Sequence, residues 1–217
     1  MNDEDAWSLA EMTHSSNGIL LYRASSDGFT SEAFHANCDG KHETITIIKT
    51  NTNYVFGGYA SSAWNSSCAY IADNNAFIFS LRRNGDFDAQ KFTIKDPTKA
   101  LIGHYSYGPI FGGGNGNALK QQCSYCGYDY DDGSDYCNEC GHDYDYSYIL
   151  NYASEYGCDI FIASNSNTSY ECEANIGQSY ECPDDHIYGE QNTIDYLAGG
   201  KKNWRTTEIE VYQIIRN

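Results

Sequence analysis

Short apolar runs of strand length, separated by turn residues every ten or so positions, dominate this chain. Thr44-Ile45-Thr46-Ile47-Ile48-Lys49 and Ala76-Phe77-Ile78-Phe79-Ser80-Leu81 are the clearest, because β-branched and aromatic side chains suit a pleated, packed surface. Asn51 to Asn53 and Arg83-Asn84-Gly85-Asp86 punctuate them. Gly18 to Ala24, Tyr54 to Tyr59, Asp159 to Ala163 and Glu208 to Ile214 read the same way, and 91–94 and 100–105 more weakly. Little of the chain has the 3.6-residue period of long helices. The fold class expected is therefore mainly β with a few short helices, an antiparallel β-sandwich. The 20 Tyr and 9 Phe make its core affordable, since each ring buries on the order of 150–250 Å². A short helix capped by Thr30 or Ser31 is expected through Cys38, with Glu32 in its first turn and Asp39-Gly40 ending it. Residues 1–17 read as a loosely attached polar arm, with a short helix around Ala6 to Met12.

The formal charge is −17, and no Lys or Arg occurs between Lys120 and Lys201. Such a surface repels phosphate, which argues against nucleic-acid and anionic-membrane partners and favours a basic protein surface. No apolar run approaches the ~20 residues of a membrane span. The acidic start, Met1 to Ala10, lacks the basic and apolar regions of a signal peptide, so the compartment expected is cytoplasmic. In that setting nine cysteines point to metal chemistry rather than a disulfide framework.

Cys123-Ser-Tyr-Cys126-Gly127 and Cys137-Asn-Glu-Cys140-Gly141 are two Cys-x-x-Cys-Gly knuckles separated by ten residues. Two residues between sulfurs let one tight turn present both to a single ion, and the glycine lets the backbone fold beneath it. The expectation is one structural Zn²⁺ held by Cys123, Cys126, Cys137 and Cys140 in a zinc ribbon, with iron as the competitor that four thiolates also suit. Four protein ligands leave no position for a reacting water.

Other constellations are thinner. Cys38 follows His35 by three residues on the expected helix, a spacing that brings them to one side and raises a Cys/His-dependent enzyme or a redox-sensing thiol as an alternative. Gly112 to Gly114 supplies a turn needing positive φ, because no helix and no P-loop lysine follows. Gly57-Gly58 inside a strand marks a bulge or a close backbone approach. Asp184-Asp185-His186 lacks the repeated spacing of a calcium loop. No catalytic residue is assigned.

The runs and turns also occur in a familiar order. Leu20-Leu21-Tyr22-Arg23-Ala24-Ser25, Asp27-Gly28-Phe29, Phe34-His35 and Cys38-Asp39-Gly40 open the series. Val55-Phe56-Gly57-Gly58-Tyr59, Trp64 and Ala76-Phe77-Ile78-Phe79-Ser80-Leu81 follow. Tyr107-Gly108-Pro109 with Phe111 to Gly114, Ser179-Tyr180-Glu181-Cys182-Pro183, Leu197-Ala198-Gly199 and Glu208 to Tyr212 complete it. Together they resemble the TLDc domain family over about residues 18–216. The resemblance implies a non-catalytic protein-binding module that regulates the vacuolar-type proton ATPase and is linked to oxidative-stress resistance. It divides the chain into an arm (1–17), two TLDc parts (18–114 and 159–216), and an insertion (115–158) where the family runs almost directly from the glycine turn into the next strand. The insertion holds both knuckles, and its novelty raises a second reading: a structural subunit of a large cytoskeletal or axonemal assembly such as a ciliary microtubule doublet.

Overall fold

The computed structural model describes residues 3–113, 157–184, 186–200 and 202–216, and the backbone alone of 121–122 and 129–130. Chain order runs through α1 (Asp3–Thr13), β1 (Gly18–Arg23), α2 (Ala24–Asp27), α3 (Ser31–Cys38), β2 (Thr44–Thr50), β3 (Val55–Ala60), β4 (Ala69–Ile71), β5 (Phe77–Arg83) and β6 (Asp86–Thr93). A single 3-10 turn at Pro97–Lys99 leads into β7 (Leu101–Gly103) and β8 (Tyr107–Phe111). Then come β9 (Gln121–Gln122), β10 (Asp129–Tyr130), β11 (Ile160–Ala163), β12 (Glu173–Ala174), α4 (Gln191–Ile194) and β13 (Thr206–Ile214). Among the described residues no helix is long and apolar enough to cross a membrane.

Two antiparallel sheets form the body, as the strand-rich sequence predicts. The larger is ordered β1-β13-β2-β3-β5-β6, the smaller β12-β11-β8-β7-β4. Side chains from their facing surfaces make one large core that includes Phe56, Ile78, Trp64, Phe111, Ile160 and Val211. Its aromatics meet edge to face: Phe34 on Trp64 at 5.4 Å, Trp64 on Phe111 at 5.5 Å, and Phe56 on Trp204 at 5.6 Å between ring centroids. These are the offset geometries that ring quadrupoles prefer. Trp64 also satisfies its buried indole by donating to Thr44 Oγ1 at 3.0 Å. The glycine at 58 is there for space: a Cβ would run into the Phe111 ring from the opposite sheet.

α3 forms where its cap predicts, with the Thr30 hydroxyl accepting from Ala33 N at 3.2 Å. Two expectations need correction. The arm is a docked helix rather than a loose one. Leu9 is buried against Ile45, Ile47, Phe77, Phe79 and Leu81 on the outward surface of the larger sheet, and Arg82 pairs with Asp5 and Glu4. Then Tyr107 to Phe111, not among the strands expected, is strand β8 in the middle of the smaller sheet. Pro109 is tolerated because it falls where the pairing with β11 shifts register, between the matched residues Tyr107 and Ile110. The turn itself starts at Gly112, whose φ of 75° is the positive value the sequence called for.

Candidate functional site

Cys123, Cys126, Cys137 and Cys140 lie outside the described residues. Gln122 and Asp129, which flank the first knuckle in sequence, face each other as partners in the β9–β10 ladder. Among the described residues no three His, Cys, Asp or Glu side chains converge on a point that could hold a metal ion.

What the structure does describe is how the two feet of the expected insertion, 115–158, are fastened. Asp159, fully buried, receives the backbone N–H groups of Gly177 (2.7 Å) and Gln178 (2.9 Å) on Oδ1 and of Ser179 (2.8 Å) on Oδ2. The outgoing foot is held by Ser179, whose hydroxyl accepts from Gly113 N and donates to Gly113 O, both at 3.1 Å. Gly112 lies so close to the carboxylate that a Cβ there would collide with it. Burial pushes the Asp159 carboxyl up to about 6, against the opposing pull of the three N–H donors. Lys95 Nζ steadies the same loop from outside by donating to Gly177 O at 2.6 Å. One aspartate and one serine thus tie residues 112–113, 159 and 177–179 together. Sequence reading took Asp159 as the start of a strand and did not assign it this role.

Cys38 and His35 do not form a nucleophile–base pair. His35 Nε2 donates to the carbonyl oxygens of His104 (2.8 Å) and Tyr107 (3.0 Å), and Nδ1 lies 2.8 Å from Asp39 Oδ1. The imidazole therefore fastens α3 to the β7–β8 turn. Burial, reinforced by Asp39 and Asp27, pushes the Cys38 thiol up to about 12, away from the thiolate a nucleophile needs. Burial also raises the thiols of Cys68, Cys172 and Cys182.

His104, beside this junction, is another buried ionisable group. Ser106 N donates to its Nδ1 at 3.2 Å, and the rings of Tyr105 and Tyr107 lie 5.0 and 4.7 Å from its own. Burial, with some repulsion from His35, lowers its pKa to about 4.

Two grooves flank α1. A groove of about 640 Å³ runs between the helix and strands β13, β2, β3 and β5, and a second of about 540 Å³ opens on the other flank. Arg23, Lys49 and Arg82 line the first, Lys91 and Arg216 the second, so five of the chain's 13 cations gather on this one face of a strongly acidic molecule. Three of them, Arg82, Lys91 and Arg216, hold acidic α1. Arg82 Nε is 3.0 Å from Asp5 Oδ1, Lys91 Nζ donates to Met12 O at 2.9 Å, and Arg216 Nη1 to Thr13 O at 3.1 Å. Arg23 is engaged by Glu210 at 2.7 Å. A helix with Asp3, Glu4 and Asp5 in its first turn also suits its own dipole.

MTOR-associated protein MEAK7 of Danio rerio is 25% identical to the chain over 68 residues. That stretch is 31% of this chain and 15% of that protein, so the chain spans a small part of the relative it matches. The TLDc domain family matches residues 1–215, a span that includes α1 and both sheets. With that match over nearly its whole length, the chain belongs to the TLDc domain family.

Proposed function

We propose that this chain is a non-catalytic protein-binding module with a regulatory role, acting on the vacuolar-type proton ATPase and contributing to oxidative-stress resistance. The observation that carries the reading is the family match over residues 1–215. The association with MTOR in the relative's name fits a protein-binding regulatory module. The engaged His35 and the raised Cys38 thiol do not make a nucleophile–base pair, which supports a binding role. The acid excess directs the module toward basic protein surfaces. Native capture with tagged protein tests this. Recovery of peripheral vacuolar ATPase subunits supports the regulatory reading. Recovery instead of tubulin-associated scaffold proteins, lost in Cys137→Ser/Cys140→Ser, overturns it in favour of a structural subunit.

The insertion adds a metal site to this reading: Cys123, Cys126, Cys137 and Cys140 hold one structural Zn²⁺. The two knuckles carry the proposal, and the β9–β10 ladder supports it by pairing the residues on either side of the first. Four thiolates and no water position suit a fold-supporting ion, and a segment this small takes most of its folding energy from the metal. Metal analysis is expected to find one zinc per chain, reduced to none in Cys123→Ser/Cys126→Ser. A red, iron-loaded protein would overturn zinc.

A further inference from the structure

We propose that the free edge of β1 is a strand-addition site, which an extended partner segment with alternating apolar and basic side chains joins as a seventh strand of the larger sheet. The inference deepens the protein-binding reading by naming where and how a partner docks. The two sheets have four outer edges, and three are protected in the ways that stop unwanted pairing. β4 and β12 are only three and two residues long. β6 carries Asp86, Asp88 and Lys91, and its ladder is broken by a register shift opposite Ser80 and Arg82. β1 also has a register shift, between Leu20 and Tyr22, but it is six residues long and uncharged from Gly18 to Tyr22, and it exposes Ile19 (56%) and Leu20 (40%).

The backbone directions can be followed residue by residue. Ile214 N donates to Glu43 O, away from β1, and Ile215 N to Asn17 O, toward it. Alternation along the antiparallel pair then turns Ile19, opposite Gln213, inward, and the amide groups of Gly18 and Leu20 outward. Beyond the bulge, Tyr22 opposite Val211 turns inward and Arg23 outward. Arg23 N confirms the phase, because it donates outward to Asp27 Oδ2 at 2.7 Å. Asp27 therefore closes the edge at one end and leaves Gly18 to Tyr22 for pairing. α3 packs against β1, so the strand is held in place before any partner arrives.

Charge selects the occupant. Three carboxylates lie near the closed end of β1: Asp27 accepts from Arg23 N, Glu208 from Ser25 N and Oγ, and Glu210 pairs with the Arg23 guanidinium. A Lys or Arg on the incoming strand finds complementary carboxylates there. A second copy of the chain would instead set −17 against −17. Main-chain bonds would supply affinity and alternate side chains specificity, as in other strand-addition complexes.

The test is a phage-displayed library of random twelve-residue peptides, selected on the tagged wild-type chain and counter-selected on Leu20→Pro, which removes one outward N–H. The expected winners alternate apolar residues with Lys or Arg, bind wild type at least tenfold more tightly than Leu20→Pro, and slow amide exchange at Gly18 and Leu20. Phe87→Lys on the opposite edge should leave binding within twofold. Should Leu20→Pro lose its cooperative thermal transition, Ile19→Lys/Leu20→Lys replaces it. Peptides that bind both proteins equally, or that are acidic, overturn the proposal. So does a concentration-dependent dimer abolished by the same variants, which would make a second copy the occupant. These readouts do not depend on capture of the vacuolar ATPase, so the edge can fail while the regulatory reading stands, and the reverse.

Discussion

The two faces of the six-stranded sheet are covered by different means. Its inward face meets a second sheet through interlocked aromatics, with Trp64, Trp204, Phe56 and Phe111 all but inaccessible to solvent. Its outward face is covered by one eleven-residue helix that buries a single large apolar side chain, Leu9, and is otherwise held by Arg82, Lys91 and Arg216. Packed rings lose many contacts at once when disturbed, whereas a partly exposed ion pair contributes little. The inward face should therefore set global stability, and the outward layer should open locally at much lower free energy.

The largest effect should come from Phe111→Ala, which empties the meeting point of Trp64 and the Gly58 backbone. A loss of about 3–5 kcal/mol is expected, read as a lower denaturant midpoint with unchanged slope. A loss below about 1 kcal/mol would break the comparison outright.

Next come two of the buried ionisable groups, Asp159 and His104, both on the smaller-sheet side. Asp159 is raised from 3.8 to about 6, so the folded state takes up its proton before the unfolded chain does. Its contribution to stability is greatest below about pH 4 and falls as pH rises toward 6. His104 is lowered from 6.5 to about 4, so its contribution is present above 6.5 and is lost as pH falls toward 4. Each shift corresponds to something on the order of 3 kcal/mol, and across the shared window the two oppose each other. The stability difference between wild type and Asp159→Asn should therefore fall from pH 4 to 6. The difference between wild type and His104→Gln should rise. Parallel slopes in the two variants would show that these groups do not titrate as placed.

How far the sequence foretold this depends on whether the cause of each feature is local. β2, β5 and β13 were legible because β-branched and aromatic residues fill them, and α3 because Thr30 caps it in place. β8 was hidden by its glycine and proline, which signal a turn unless the register shift with β11 is known. The docking of α1 was missed because its anchors, Arg82, Lys91 and Arg216, stand some 80 to 200 residues away in sequence. Asp159 looked like a strand start for the same reason: its three N–H partners lie 18, 19 and 20 residues on. The proposed zinc ligands rest on spacing alone, since Cys123, Cys126, Cys137 and Cys140 lie outside the described residues.

Gly58→Ala sharpens the comparison by adding atoms rather than removing them. The new methyl would meet the Phe111 ring, which Trp64 holds from the side. Overpacking of this kind costs about 1–3 kcal/mol. Combining it with Phe111→Leu should recover part of that loss, because the two sites share one space. Strict additivity in the double variant would mean that the sheet had moved aside instead.

The smallest global effect should follow Arg82→Ala, and it is the one that separates the two faces. Arg82 reaches Asp5, which is nearly buried, and Glu4, which is 57% exposed on its side chain, so solvent screens the second pair far more than the first. The net loss should be about 1 kcal/mol or less, within reach of a midpoint measurement but not prominent in it. Amide exchange resolves what the midpoint cannot. If α1 opens as a local unit, its amides should exchange several-fold faster in Arg82→Ala, while those of β3 and β5 that face the inner core keep their protection. Leu9→Ala should act in the same direction on the same amides. Equal acceleration across α1 and the core strands would mean that the helix unfolds with the body, and that the outward layer belongs to the same cooperative unit as the interlocked rings.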